Sequence, residues 1–126
     1  MPTSVRDMLS SANDAVPRVS VEEARRLIDA QNALLVDVRD ASEVALSGKL
    51  KGAVNVSRGM LEFRADDTTP YHNQEFRRDR PIILYCASGG RSALSGKVMQ
   101  EMGYHRVHNL GGFSDAVEGG FPSERA

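Results

Sequence analysis

The sequence predicts an α/β protein built on a mainly parallel sheet. Three observations carry this expectation. Short apolar strand candidates alternate along the chain with helical patterns. The two clearest strands, residues 34–38 and 82–85, are nearly continuous apolar runs, as strands covered on both faces require. The length also fits a single unit: 126 residues, 40% hydrophobic and 26% charged, suffice for one ordinary domain with its own core.

Taken in order, residues 3–15 set Val5, Met8, Leu9 and Ala12 at helical spacing, and Pro17 then breaks the helical pattern. Residues 1–17 are therefore assigned as a helical extension and 18–126 as the domain. Ser20 with Glu23 forms a capping box that opens a helix running to about Ala30, with Val21, Ala24, Leu27 and Ile28 as its apolar stripe. Residues 34–38 form a buried strand interrupted only by Asp37. A short helix over 40–46 is stopped by Gly48, a short strand covers 53–56, and Met60, Leu61 and Phe63 mark another helical turn or two. Residues 66–73, polar and holding Pro70, predict an exposed loop, and the charged stretch 74–80 predicts a solvated one. Pro81 opens the strand 82–85, which runs into Cys86 and then a helix from about Arg91 to Met102, ended by Gly103. A last strand over 107–110, a turn at Gly111-Gly112 and a helix over 113–118 complete the chain.

Composition narrows the function. A formal net charge of −1 gives no bulk attraction to nucleic acid or to a membrane surface, and neither is expected as a partner. No apolar run approaches the ~18 residues that span a bilayer, and residues 1–16 lack the pattern of a secretory signal. The single cysteine, Cys86, cannot form an internal disulfide or a cysteine-based zinc site. A free thiol in a reducing, cytoplasmic setting is expected, with no metal and no cofactor.

The chemistry concentrates where strand becomes helix. In open α/β sheets the reactive site lies beyond the carboxyl ends of the strands, and Cys86 stands at such an end. Gly89 and Gly90 let the backbone curl so that several N–H groups face one centre, an anion-binding nest. The helix terminus adds partial positive charge and Arg91 a full one. Each favours a thiolate, whose pKa at such a position falls from about 8.5 to roughly 3.5–7.5. No histidine is needed as a base, and His72, His105 and His108 form no evident dyad with Cys86. An inert buried cysteine is the competing account of the residue type, and the glycines and arginine in register argue against it. Ser88 either donates to a bound anion or caps the helix; Arg91 either faces the anion or braces the loop.

The segment Cys86-Ala87-Ser88-Gly89-Gly90-Arg91-Ser92 resembles the active-site loop of rhodanese-like domains. The likeness extends to Leu34-Leu35-Val36-Asp37-Val38-Arg39, similar to the family's Asp-x-Arg strand, to Gly48–Val56, and to Val107–Phe121 with its paired glycines. It spans roughly Val19 to Pro122. The resemblance implies a five-stranded, mainly parallel sheet with helices on both faces. It also implies a sulfurtransferase in which Cys86 carries sulfur as a persulfide between a donor, such as thiosulfate or a small persulfide, and a thiol or cyanide acceptor. On the same resemblance, N–H groups from Ala87, Ser88, Gly89, Gly90 and Arg91 cradle the sulfur, and Asp37 and Arg39 brace the loop. Lys49 and Lys51 stand where relatives often carry histidine and proline, and Ala116 where many carry tryptophan. The loop holds no cation besides Arg91; Arg58 is the candidate for additional substrate charge. Two other functions share the fold. Cysteine phosphatases and arsenate reductases use a Cys-x5-Arg loop, one residue longer than the four-residue spacing from Cys86 to Arg91. Non-catalytic interaction modules usually lose the cysteine.

Overall fold

The computed structural model describes residues 2–126. Helix α1 (Val5–Ala15) leads to α2 (Val21–Gln31) and strand β1 (Leu34–Asp37). Then come α3 (Ala41–Ser47), β2 (Lys49–Leu50), β3 (Val54–Asn55), a 3₁₀ turn (Arg58–Met60) and α4 (Leu61–Ala65). Strand β4 (Ile82–Cys86), α5 (Gly90–Glu101), β5 (Val107–Gly112), α6 (Phe113–Glu118) and β6 (Ser123–Glu124) follow. No helix is long and apolar enough to cross a membrane among the described residues.

The central sheet has the order β3-β1-β4-β5 and is parallel throughout. Alternation along each strand divides the core into two layers. Leu34, Val36, Ile82, Leu84 and Val107 face one layer, with Val16, Leu61, Met99 and Tyr104. Leu35, Ile83 and Tyr85 face the other, with Ala24, Leu50, Leu110, Ala116 and Phe121. Cys86 belongs to the first layer, so its side chain points to the face on which α5 lies. The capping box is present: Ser20 Oγ accepts from Glu23 N–H at 3.1 Å, and the Glu23 carboxylate answers the Ser20 N–H.

Three expectations need correction. The sheet has four strands rather than five. On the outer side of β5, Arg18 makes only an isolated parallel bridge to Asn109. Asn109 N–H donates to Pro17 C=O at 2.8 Å and Val19 N–H to Asn109 C=O at 3.1 Å, but Pro17 has no N–H to continue a ladder. Secondly, β6 pairs antiparallel with β2 in a small separate ribbon that alternation alone did not reveal, because each strand is two residues long. Thirdly, the charged stretch 74–80 is pinned rather than simply solvated. Phe76 is buried edge-on against Tyr104. Arg80, 9% exposed, donates to the carbonyls of Asn32 and Glu75 at 2.8 and 3.1 Å.

Helix α1 is packed onto the domain. Ala12 is buried, Val16 enters the core layer beneath the sheet, and Gln100 of α5 donates to Ala15 C=O at 2.9 Å.

Candidate active site

Strand β4 delivers Cys86 to the carboxyl edge of the sheet, and α5 begins four residues later at Gly90. The turn between them is possible because Gly89 adopts φ +102°, a conformation costly for any residue with a Cβ. That turn carries the Gly89 N–H back to within 3.0 Å of Cys86 Sγ. Cys86 is 1% exposed and lies at the base of the loop, while Ala87 and Ser88 are exposed above it.

A second layer of contacts fixes the loop from β5. The pairing of β4 with β5 slips after Leu84, which opposes Asn109, so that Tyr85 opposes Gly111 and Leu110 is the extra residue. Such a bulge re-aims the residues around it. Asn109, fully buried, donates from Nδ2 to Gly89 C=O at 3.1 Å and accepts at Oδ1 from Gly111 N–H at 2.9 Å and Ser92 Oγ at 2.7 Å. Ser92 Oγ stands 3.5 Å from Cys86 Sγ. A serine hydroxyl has one hydrogen. It serves either Asn109 Oδ1 or the sulfur at one time, and Asn109 Oδ1 also holds the Gly111 N–H. Gly112 completes the wall: a Cβ there would lie 2.6 Å from Ala87 C=O, so only glycine lets β5 approach the loop this closely.

These contacts set the state of the sulfur. Burial pushes the Cys86 thiol up. The Ser92 hydroxyl and the N–H groups of Ser92, Ser88 and Gly89 pull the other way, and together they hold the pKa below its ordinary value. The start of α5 adds its partial positive charge at the same point.

Arg91 is a loop brace. Its two terminal nitrogens donate to the Glu43 carboxylate at 2.7 and 2.9 Å, tying the start of α5 to α3. The hydrogen bonds from Arg91 lower the Glu43 pKa to about 2, helped by the Asp40 backbone N–H, and the same pairing raises that of Arg91. Its charge is thus answered within the protein.

Asp37 and Arg39 form a buried pair at 2.7 Å, but they brace a different loop from the one expected. Arg39 donates to Ser47 Oγ and Gly48 C=O, both at 2.8 Å, and its guanidinium lies 4.4 Å from the Phe113 ring centroid. The pair therefore locks the α3–β2 turn and the start of α6. Tyr85 supports the same region, its hydroxyl accepting from Leu50 N–H at 2.9 Å. Arg58 is paired with Glu62 at 2.8 Å and lines an open cavity along α5 with Met8, Leu94 and Lys97.

The structure thus joins Cys86 to Gly89 directly and holds Gly90 and Arg91 at the helix start, while Ala87 and Ser88 form the outer face. The residues missed from sequence are Glu43, Asn109 and the role of Ser92. Asn109 carried a usable signal: an amide inside an otherwise apolar strand must find partners. Glu43 had none, because its partner lies 48 positions away.

The geometry defines an α/β domain with a buried cysteine at a strand end, facing N–H groups of the following loop and helix start. The chain belongs to the rhodanese-like domain family, whose model matches residues 20–118. A sulfurtransferase of Allochromatium vinosum is 33% identical over 89 residues, 71% of this chain and 75% of that protein. The thiosulfate sulfurtransferase GlpE of Actinobacillus succinogenes is 32% identical over 114 residues, 89% of this chain and 94% of that protein. A solved structure from Rhodopseudomonas palustris superposes with a TM-score of 0.86 at 37% identity, covering 98% of this chain and 99% of that one; that protein is described as of unknown function and a possible tyrosine phosphatase.

Proposed function

We propose that this chain is a rhodanese-type sulfurtransferase in which Cys86 carries the sulfur. The observation that carries the proposal is the Gly89 N–H at 3.0 Å from a buried Sγ, in a loop with four residues between Cys86 and Arg91. The thiolate attacks the outer sulfur of thiosulfate, the S–S bond breaks, and sulfite leaves with the bonding pair. The resulting persulfide then loses its outer sulfur to cyanide or a thiolate, and the Cys86 thiolate returns. No oxidant or cofactor is consumed, and each half-reaction leaves the enzyme charged or discharged, so the kinetics are ping-pong. A thiol kept reduced suits the cytoplasm.

The description of the Rhodopseudomonas protein favours a second function, a cysteine phosphatase. The arrangement of Arg91 weighs against it. Both terminal nitrogens already donate to Glu43, and four residues rather than five separate Cys86 from Arg91, which makes the ring of N–H groups tight for a phosphoryl group. Steady-state assays with thiosulfate and cyanide, beside an aryl phosphate assay, separate the two. Thiocyanate formation with parallel double-reciprocal lines, abolished in Cys86→Ser, supports sulfur transfer. Cys86-dependent aryl phosphate hydrolysis without thiocyanate formation would overturn it.

A further inference from the structure

The loop arginine, Arg91, is paired with Glu43, so the cations free to meet an anionic donor lie elsewhere. Arg39 pairs with Asp37, Arg58 with Glu62 and Arg91 with Glu43. Arg18 is different. It is exposed, and among the described residues no ion pair engages its guanidinium. Its backbone is fixed beside β5, since Asn109 N–H donates to Pro17 C=O and Val19 N–H to Asn109 C=O. Its side chain runs along β5 toward the cysteine loop. A Cβ on Gly111 would collide with Arg18 Nη2, and Nη1 lies 3.8 Å from where a Gly89 Cβ would stand. Gly111, whose φ of +101° disfavours other residues, leaves the space that the guanidinium occupies.

A chain of contacts bounds the reach of this charge. The Gly89 nitrogen is 3.0 Å from Cys86 Sγ, and Arg18 Nη1 is 3.8 Å from the Gly89 Cβ position, so the guanidinium lies within about 9 Å of the sulfur. That is about one Debye length at physiological ionic strength, and a donor docked above the loop extends outward from the sulfur. Leu9 of α1, 3.6 Å from the Gly90 Cβ position, flanks the next residue of the loop. The segment leading into the domain thus forms one side of the site.

We propose that Arg18 is a specificity-determining residue of the Cys86 site: its unpaired guanidinium, laid across Gly111 against Gly89, attracts an anionic sulfur donor to the loop. The proposal rests on the sulfurtransferase reading for the word donor, but the attraction of an anion is measurable without sulfur transfer. The probes are iodoacetate, an anion, and iodoacetamide, its neutral analogue, each alkylating Cys86 at low ionic strength. The ratio of the two rates is expected to fall in Arg18→Gln by between about 2-fold and 20-fold, the span set by a unit charge at about 9 Å in surroundings between water and protein surface. It should stay within 2-fold of the wild type in Arg18→Lys, and in the wild type it should drop toward the Arg18→Gln value in about 1 M salt. The KM for thiosulfate should rise in Arg18→Gln in the same sense. Loss of loop geometry would slow both reagents alike and is removed by the ratio. An unchanged ratio in Arg18→Gln, or an equal fall in Arg18→Lys, overturns the proposal. A lowered ratio in a protein that takes sulfur from no donor would leave the role of Arg18 standing and overturn the sulfurtransferase function instead.

Discussion

Replacing Ser92 by alanine removes one hydroxyl and no other atom from the site. In the structure that hydroxyl is 3.5 Å from Cys86 Sγ and 2.7 Å from Asn109 Oδ1. A hydrogen bond to a charged acceptor is worth about 1.5–3 kcal/mol. The sulfur contact is long and shared with Asn109, so the lower end applies, about 1.5 kcal/mol, equivalent to about one unit in the reactivity midpoint. The pH at which Cys86 is half as reactive toward iodoacetamide should therefore rise by about one unit in Ser92→Ala. Burial of the thiol limits the absolute rate in both proteins, so the midpoint is the quantity to compare. Stability should change less at low pH, by about 1 kcal/mol, because Asn109 Oδ1 keeps the Gly111 N–H. The sign of the pH dependence follows from the lowered thiol pKa. A lowered acid stabilises the fold fully above its unfolded value, about 8.5, and this contribution fades as pH falls through the folded value. The urea-unfolding difference between wild type and Ser92→Ala should therefore be larger at pH 9 than at pH 6. An unshifted midpoint in Ser92→Ala would refute the assignment of the hydroxyl to the thiolate.

Two further substitutions probe the loop's supports. Arg91→Gln leaves the Glu43 carboxylate unanswered near the sulfur and should raise the Cys86 midpoint, Glu43→Gln should lower it, and the double variant should return close to wild type. The coupling energy should be about 1 kcal/mol for a half-exposed bidentate pair. Because Arg91 lowers the Glu43 pKa from 4.5 to about 2, the pair stabilises above the ordinary carboxylate value, and the stability gap to Arg91→Gln should close as pH falls toward 2; denaturant titrations across that range check it. Gly112→Ala is permitted by its φ of −98°, so its effect is purely the collision with Ala87 C=O. It should cost about 1–3 kcal/mol of stability and lower thiosulfate turnover at least ~10-fold, read by unfolding and by steady-state kinetics.

The main elements were legible because each carries a local signal. The capping box Ser20–Glu23, the apolar runs of β1 and β4, and Gly103 after α5 mark boundaries that the structure places within a residue or two. The position of Cys86 at a strand end before a helix was legible for the same reason: cysteine, paired glycines and the following helix are contiguous. What escaped depends on contacts distant in sequence. The β2–β6 ribbon pairs Lys49 with Glu124, 75 positions on, and is too short for a periodic pattern. The role of Arg91 could not be decided without Glu43, and that of Arg39 without the turn at Ser47–Gly48. Arg18 had no motif at all. Its place is set only in space: the backbone is held beside Asn109 through a bridge that Pro17 prevents from growing into a strand, and the guanidinium lies over Gly111.

The central claim is that Cys86 accepts and surrenders one sulfur atom, and intact mass measures it most directly. Incubation of the reduced protein with thiosulfate should add one sulfur, about 32 Da, to the whole chain; cyanide or a reducing thiol should remove it. Cys86→Ser should gain nothing. A wild-type mass unchanged by thiosulfate and by small persulfides, in protein whose Cys86 still alkylates, would contradict the account.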